Sequence, residues 1–369
     1  MAIAQTQGGA APRCDIFCRV VDNYGDIGVC WRLARQLACQ GHAVRLFTDD
    51  PSPLAWMAPG GCPGVALVPG LDPASYEPAE VVVDAFGADL GGRVVEAVAR
   101  CNLAGPHAVA WINLEYLSAQ AYAARSHGLA SPVRGGAAAG IRKWFFFPGF
   151  TDDTGGLLRE PDLAARQAAF RRESWLGSVG TVLRGQRIIS LFCYEPAVLA
   201  PWLLGLAQEA RQRPVEVLVT HGRAQAAVRA ALARLPAHWN AQGRVTLRPL
   251  PPLSQVEFDH LLWSSDLNYV RGEDSLVRAL WAGKPFVWQL YPQDDGAHAA
   301  KLEAFLDVLA GTEAPTMRNY FRWWNGLAEA PAPVFDAPRW APVYAAMRAR
   351  LLAQTDLVTR LLRFVAENR

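Results

Sequence analysis

The chain has 369 residues, 51% of them apolar, and its 36 basic and 34 acidic side chains leave a formal net charge of +2. That length supports a sizeable core and suits two domains better than one, while the near-balanced charge and the lack of a long Lys/Arg run argue against a dedicated nucleic-acid binder. The seven cysteines form no C-x-x-C pair and no His/Cys cluster at zinc spacing, so reduced, mostly buried thiols in a cytoplasmic protein are expected.

The first dozen residues lack the basic and apolar regions of a signal peptide, and no later run reaches spanning length, so neither secretion nor membrane insertion is expected. DIFCRVV (15–21) reads as a buried strand, GVCWRLARQLACQG as a helix ending at Gly41, and AVRLF (43–47) as a second strand. EVVVDAFG (80–87) and HAVAWINLEY (107–116) repeat the short strand that runs into a polar turn, with a helix around 92–101 between them, so a parallel sheet is expected. Between 118 and 149 the periodicity fails. There SPVRGGAAAGIRK precedes WFFFPGF, which reads either as a binding loop or as a strand with a surface loop.

LLREPDLAARQAAFRRESWL is helical again, and GSVGTVLRGQ serves as a linker. The expected division is an N-terminal Rossmann-like domain over 1–183 and a C-terminal one over 184–369. RIISLFCYE (187–195) restarts the alternation of strand and helix, which continues through KPFVWQLYPQ. The stretch from Trp340 onward supplies one or two helices, the last able to pack back on the first lobe. The fold class is therefore α/β, two doubly wound lobes facing across a cleft, with ligand expected at the carboxyl ends of the strands.

Three turns at such strand ends carry chemistry. D-N-Y-G-D-I-G (22–28) stands where nucleotide-binding folds keep a glycine loop, yet the spacing of Gly25 and Gly28 is not G-x-G-x-x-G, and Asp22 and Asp26 would repel a phosphate. The local alternative has Asp26 capping the next helix and Asp22 with Asn23 in an Asx-turn; it does not easily explain two carboxylates flanking Asn23-Tyr24-Gly25. In Y-V-R-G-E-D-S-L-V-R (269–278) a strand meets a helix opening near Asp274 or Ser275. Its first N–H groups, Arg271 and the Ser275 hydroxyl can surround a diphosphate, the alternative being a cap beside a surface charge. Glu273 can hold a ligand hydroxyl or orient Arg271. S-L-F-C-Y-E-P (190–196) ends a strand with Phe192 and Tyr194, which stack on a base, donate to a phosphate, or fill the core. No histidine spacing supports a metal site, and there is no G-x-S-x-G elbow.

Carboxylates from one lobe and a diphosphate site from the other resemble a GT-B glycosyltransferase. The strings DIFCRVVDNYGDIGVCWRLARQL and NYVRGEDSLVRALWAGKPFVWQLYPQ resemble, more narrowly, the two signature regions of the bacterial protein-arginine rhamnosyltransferases that modify translation elongation factor P. The resemblance implies an inverting transfer of L-rhamnose from dTDP-β-L-rhamnose to one arginine of elongation factor P, without metal or other cofactor, activating that factor for ribosomes stalled on polyproline. It implies that Asp22, Asp26 and Glu273 are the critical carboxylates and that Phe192, Tyr194, Gln255, Arg271, Asp274 and Ser275 hold the nucleotide. The first lobe then docks the acceptor, with Asn23, Tyr24 and Gly25 on that side. This chain departs from the pattern at Pro252, where relatives place an aromatic, which leaves the thymine contacts open.

The chemistry suits that assignment. A guanidinium has a pKa above about 12 and delocalised lone pairs, so it needs a carboxylate to fix it and another to take its proton. Asp26 is read as the base, Asp22 as its orienting partner and Glu273 as a donor-positioning group. The alternatives are a GT-B transferase with a small-molecule or lipid acceptor, and a non-catalytic bilobal binding module.

Overall fold

The computed structural model describes residues 12–21, 24–104, 108–293, 296–310, 315–328 and 333–368. Residues 1–11, on which the signal-peptide expectation rests, and the pair Asp22 and Asn23 lie outside them.

Short apolar runs alternating with amphipathic helices build two sheets. The first comprises β1 (Cys14–Cys18), β2 (Val44–Thr48), β3 (Val65–Pro69), β4 (Val81–Ala85), β5 (Ala110–Leu114), β6 (Ala130–Pro132) and β7 (Arg142–Phe146), in the order β3-β2-β1-β4-β5-β7-β6. Only β6 runs antiparallel to its neighbour. Between these strands run α1 (Gly25–Cys39), α2 (Leu54–Met57), α3 (Gly92–Ala104) and α4 (Ala121–Ser126). The central strands CDIFC and VVVDA are buried at every position, as expected of parallel strands covered on both faces.

After α5 (Leu163–Ala169) and α6 (Arg172–Ser178), the second sheet is built from β8 (Arg187–Leu191), β9 (Val215–Val219), β10 (Val245–Pro249), β11 (Leu267–Arg271) and β12 (Phe286–Gln289). Its strands are all parallel, in the order β10-β9-β8-β11-β12. Between them lie α7 (Leu199–Glu209), α8 (Arg223–Leu232), α9 (Gln255–Ser264) and α10 (Gly272–Ala282). In both sheets the strand order reverses beside the lobe's first strand, which is where doubly wound folds open a crevice.

Among the described residues the chain closes with α11 (Ala297–Ala310), α12 (Pro315–Trp324), α13 (Ala337–Ala353) and α14 (Leu357–Asn368). Trp324 and Trp340 bury in the core of the second lobe. Leu357, Val358, Leu361 and Val365 of α14 bury with Ile16 and Leu33 of the first. The last helix therefore packs back on the first lobe.

Three details sharpen the sequence reading. Of the two readings of WFFFPGF the strand holds: the segment is the end of β7 and the turn after it, with Phe146, Phe147 and Phe150 buried. Leu163 and Leu176 bury in clusters around the second sheet, so packing on that sheet begins ahead of residue 183. The helix that RGEDS begins opens at Gly272, two residues ahead of Asp274.

Candidate active site

Tyr24 and Gly25 of the first lobe and Phe192, Tyr194, Gln255 and Arg271 of the second line one cleft of about 210 Å³. The acceptor-side wall begins where β1 ends. Tyr24 takes the N-cap position of α1 without a side-chain cap, and its carbonyl accepts from the Gly28 N–H at 3.0 Å. Asp26 therefore is not the cap. It sits in the first turn of the helix, only 3% exposed, with Oδ2 accepting from the Val21 N–H at 3.0 Å. A helix N-terminus favours negative charge, and the hydrogen bond offsets part of the cost of burying it. Burial first, then Cys18 and the Asp26 charge, push the Cys30 thiol well above its ordinary range, so that neighbour stays neutral. Tyr24 is exposed and meets the Trp56 ring edge-on at 5.2 Å.

The two glycines of this motif do not serve a turn. Both lie within α1, and neither adopts a positive φ. Gly28 instead permits a close crossing of the lobes: a Cβ there would stand 3.2 Å from Met57 Cε, 3.4 Å from Gln255 Nε2 and 3.6 Å from Asp274 Oδ2. The glycine that a left-handed backbone requires is Gly272, at φ 66°, between β11 and the body of α10.

On the donor side, the S-L-F-C-Y-E-P and R-G-E-D-S motifs form one unit. The buried Arg271 guanidinium carbon lies 4.5 Å from the Phe192 ring centre and 4.6 Å from that of Tyr194, and Nη1 donates to the Cys193 carbonyl at 3.2 Å. Stacking and a hydrogen bond together fix the plane of the cation. The Ser275 hydroxyl accepts from the Arg271 N–H at 3.0 Å and donates to the Arg271 carbonyl, so it clamps this turn.

Two carboxylates of the motif are tied elsewhere. Glu273 reaches the first lobe and α11: Oε2 accepts from the Leu117 N–H at 2.7 Å, and Oε1 pairs with Lys301. Asp274 accepts from Arg32 Nη1 at 2.7 Å and from Arg278 Nε at 2.8 Å. Burial alone would raise the Asp274 carboxyl, but Arg278 and Arg32 outweigh it and hold it below the usual range. Gln255 opens α9 behind a Ser254/Glu257 capping box. Its Nε2 donates to the Gly28 carbonyl at 3.0 Å, while Oε1 is buried without a hydrogen-bond partner. Pro252 lines the same cleft, where Phe258 stands edge-on to Phe192 at 5.2 Å, so aromatic surface is supplied from α9.

Residues 14–366 match the model of a family described as Elongation-Factor P (EF-P) rhamnosyltransferase EarP. The chain belongs to this family. It is 43% identical over 378 residues to a protein-arginine rhamnosyltransferase of Pseudomonas putida, covering 95% of this chain and 97% of the relative. It is 41% identical over 390 residues to that of Pseudomonas aeruginosa, covering 96% and 98%. A solved structure described as "Structural basis for EarP-mediated arginine glycosylation of translation elongation factor EF-P" matches with TM-score 0.63 and 32% identity over 97% of this chain and 100% of that one. The Streptomyces sp. SF2575 glycosyltransferase SsfS6, complexed with thymidine diphosphate, shares the fold at TM-score 0.52 and 12% identity, over 97% and 100%. The architecture is GT-B.

Several polar residues of this EarP-family chain were not legible in the sequence. Arg223 opens α8 and stacks over Tyr194 at 4.8 Å while paired with Glu195, its Nε 2.8 Å from Oε1. The available signal was T-H-G-R (220–223), a strand end running into a helix much as R-G-E-D-S does. Glu115, just past β5, shares a small pocket between the lobes with Glu273. Burial, then the neighbouring Asp84, raise its carboxyl. Among the described residues, no group of three or more His, Cys, Asp or Glu could hold a metal ion, and no helix is long and apolar enough to cross a membrane.

The buried ion pairs predict an acid limit to stability. Arg32 holds the Glu160 carboxyl well below its usual range against the opposing effect of burial, and Asp274 is lowered in the same way. Carboxylates with depressed folded pKa values stabilise the fold above their unfolded pKa of about 4, and that contribution disappears as pH falls through the folded value. Glu160→Gln is therefore expected to melt below the parent protein near neutral pH, with the gap in Tm closing below about pH 4 in calorimetric scans. A gap that persists unchanged into acid would show that the carboxylate charge is not its source.

Proposed function

We propose that this chain transfers L-rhamnose from dTDP-β-L-rhamnose to an arginine side chain of elongation factor P in the cytoplasm, inverting the anomeric carbon and using no metal ion. The observation that carries the reading, beside family membership, is one cleft lined on one wall by Tyr24 and Gly25, the residues directly before the buried Asp26 carboxylate, and on the other by a buried, stacked guanidinium, Arg271.

In this mechanism the acceptor arginine enters from the first lobe past Tyr24 and Gly25. Asp22 orients the guanidinium and Asp26 accepts its proton as the nitrogen attacks the anomeric carbon, which restores nucleophilicity to an otherwise inert cation. The bond from that carbon to the diphosphate oxygen breaks, and dTDP leaves with added negative charge. Arg271, Tyr194 and the first N–H groups of α10 meet that charge. Ser275 and Asp274 hold this turn in shape, Phe192 and Gln255 serve the nucleoside, and Glu273 positions the donor from the start of α10.

The test is to incubate the protein with dTDP-rhamnose and elongation factor P and to analyse the factor by intact-mass and peptide mass spectrometry. One deoxyhexose on one arginine is expected. No adduct on a matched acceptor would sink the reading.

A further inference from the structure

Arg32 lies on α1 six residues past Asp26 and is 1% exposed. Its guanidinium is used on two edges. Nε and Nη2 donate to the Glu160 carboxylate at 2.7 and 2.9 Å, Nη2 also reaches the Leu158 carbonyl at 3.3 Å, and Nη1 donates to Asp274 at 2.7 Å. The second Asp274 oxygen takes Arg278 Nε, whose Nη1 continues to Asp259 at 2.8 Å, and Asp259 pairs with Arg166. Three guanidinia and three carboxylates thus alternate from α1 to α5, α9 and α10.

This chain of ion pairs joins the two halves of the site. α1 carries Asp26, and α10 opens at the Arg271 turn. One helical turn before Arg32, Gly28 makes another contact between the lobes, its carbonyl accepting from Gln255. Arg32 itself is not in the donor cleft; it lines the small pocket behind it. Burying ions gains little stability over apolar packing, so stability alone is a poor account of such a network. A planar fork bound on two edges does something apolar packing cannot: it fixes orientation as well as distance.

We propose that Arg32 is a positioning residue for the transfer, holding α1 against α10 so that the Asp26 carboxylate and the donor's anomeric carbon stand at reacting distance. This rests on the function proposed above. A displacement of about 1 Å far from the reacting atoms can cost on the order of 10²-fold in rate.

Arg32→Lys tests it, because the ammonium keeps the charge balance but cannot span Glu160 and Asp274 together. The expected result is a kcat for elongation factor P rhamnosylation lowered roughly 10- to 100-fold per folded molecule. The calorimetric affinity for dTDP-rhamnose and the KM for the acceptor should stay within about two-fold. Glu160→Gln, which loosens the other edge of the same fork, should lower kcat in the same selective way by a smaller factor. Arg32→Lys with parental kcat, or with donor affinity falling as far as kcat, would overturn the proposal; if that variant does not fold, a Glu160→Gln variant without the selective loss of kcat overturns it. Failure of the parent protein to modify the factor would instead overturn the function itself.

Discussion

Asp26→Asn is expected to lower the rate of rhamnosylation by roughly 10²- to 10⁴-fold, the range over which a positioned base acts, while leaving dTDP-rhamnose affinity nearly unchanged. The substitution keeps the side chain's shape and an oxygen that can accept from the Val21 N–H, a bond of 3.0 Å in the parent. The turn should therefore survive. The asparagine cannot take a proton from a guanidinium, whose pKa of about 12 or more keeps it protonated and unreactive without a base. Donor affinity should be spared because the groups proposed to meet the nucleotide and its diphosphate come from the second lobe. Single-turnover transfer followed by intact mass, with calorimetric titration of dTDP-rhamnose, separates the two. Loss of donor binding in this variant would move Asp26 to the donor side and leave the acceptor without its base.

The motifs of this site were legible because each is local. D-N-Y-G-D-I-G and R-G-E-D-S both stand where a strand passes into a helix, and strand ends face the cleft in a doubly wound fold. What each side chain touches was not legible, because the partners are distant in sequence. Arg32 and Asp274 are 242 positions apart, Leu117 and Glu273 are 156, and Gly28 and Gln255 are 227. Gly28 illustrates the consequence: a glycine in a phosphate-loop position suggests a tight turn, but here the missing Cβ makes room for a helix crossing from the other lobe. WFFFPGF stayed ambiguous for a different reason. Its aromatic run has no period-2 alternation, so the sequence could not decide between a strand and a binding loop; the strand is the reading that holds, partly buried along β7 and fully buried at Phe146. The edge strand β3 was passed over because only a five-residue VALVP run, three of its residues exposed, marks it.

Arg271→Lys should fail differently from Asp26→Asn, in donor binding as well as in turnover. In the parent the planar cation lies between Phe192 and Tyr194 and is anchored to the Cys193 carbonyl. An ammonium keeps the charge but has no plane to stack and no fork to present to two phosphate oxygens. The lost ground-state contact should raise the Kd for dTDP-rhamnose roughly ten-fold, about 1.4 kcal/mol. Charge on the leaving diphosphate grows along the reaction, so kcat should fall further, by about 10²- to 10³-fold, as when one preorganised donor to a developing anion is removed. Calorimetry and steady-state kinetics at matched folded fraction measure the two effects separately. A kcat loss with parental donor affinity would place Arg271 on the transition state alone. Parental values of both would remove the Phe192-Arg271-Tyr194 stack from the donor site and leave Arg223, across Tyr194 at 4.8 Å, as the cation to test there.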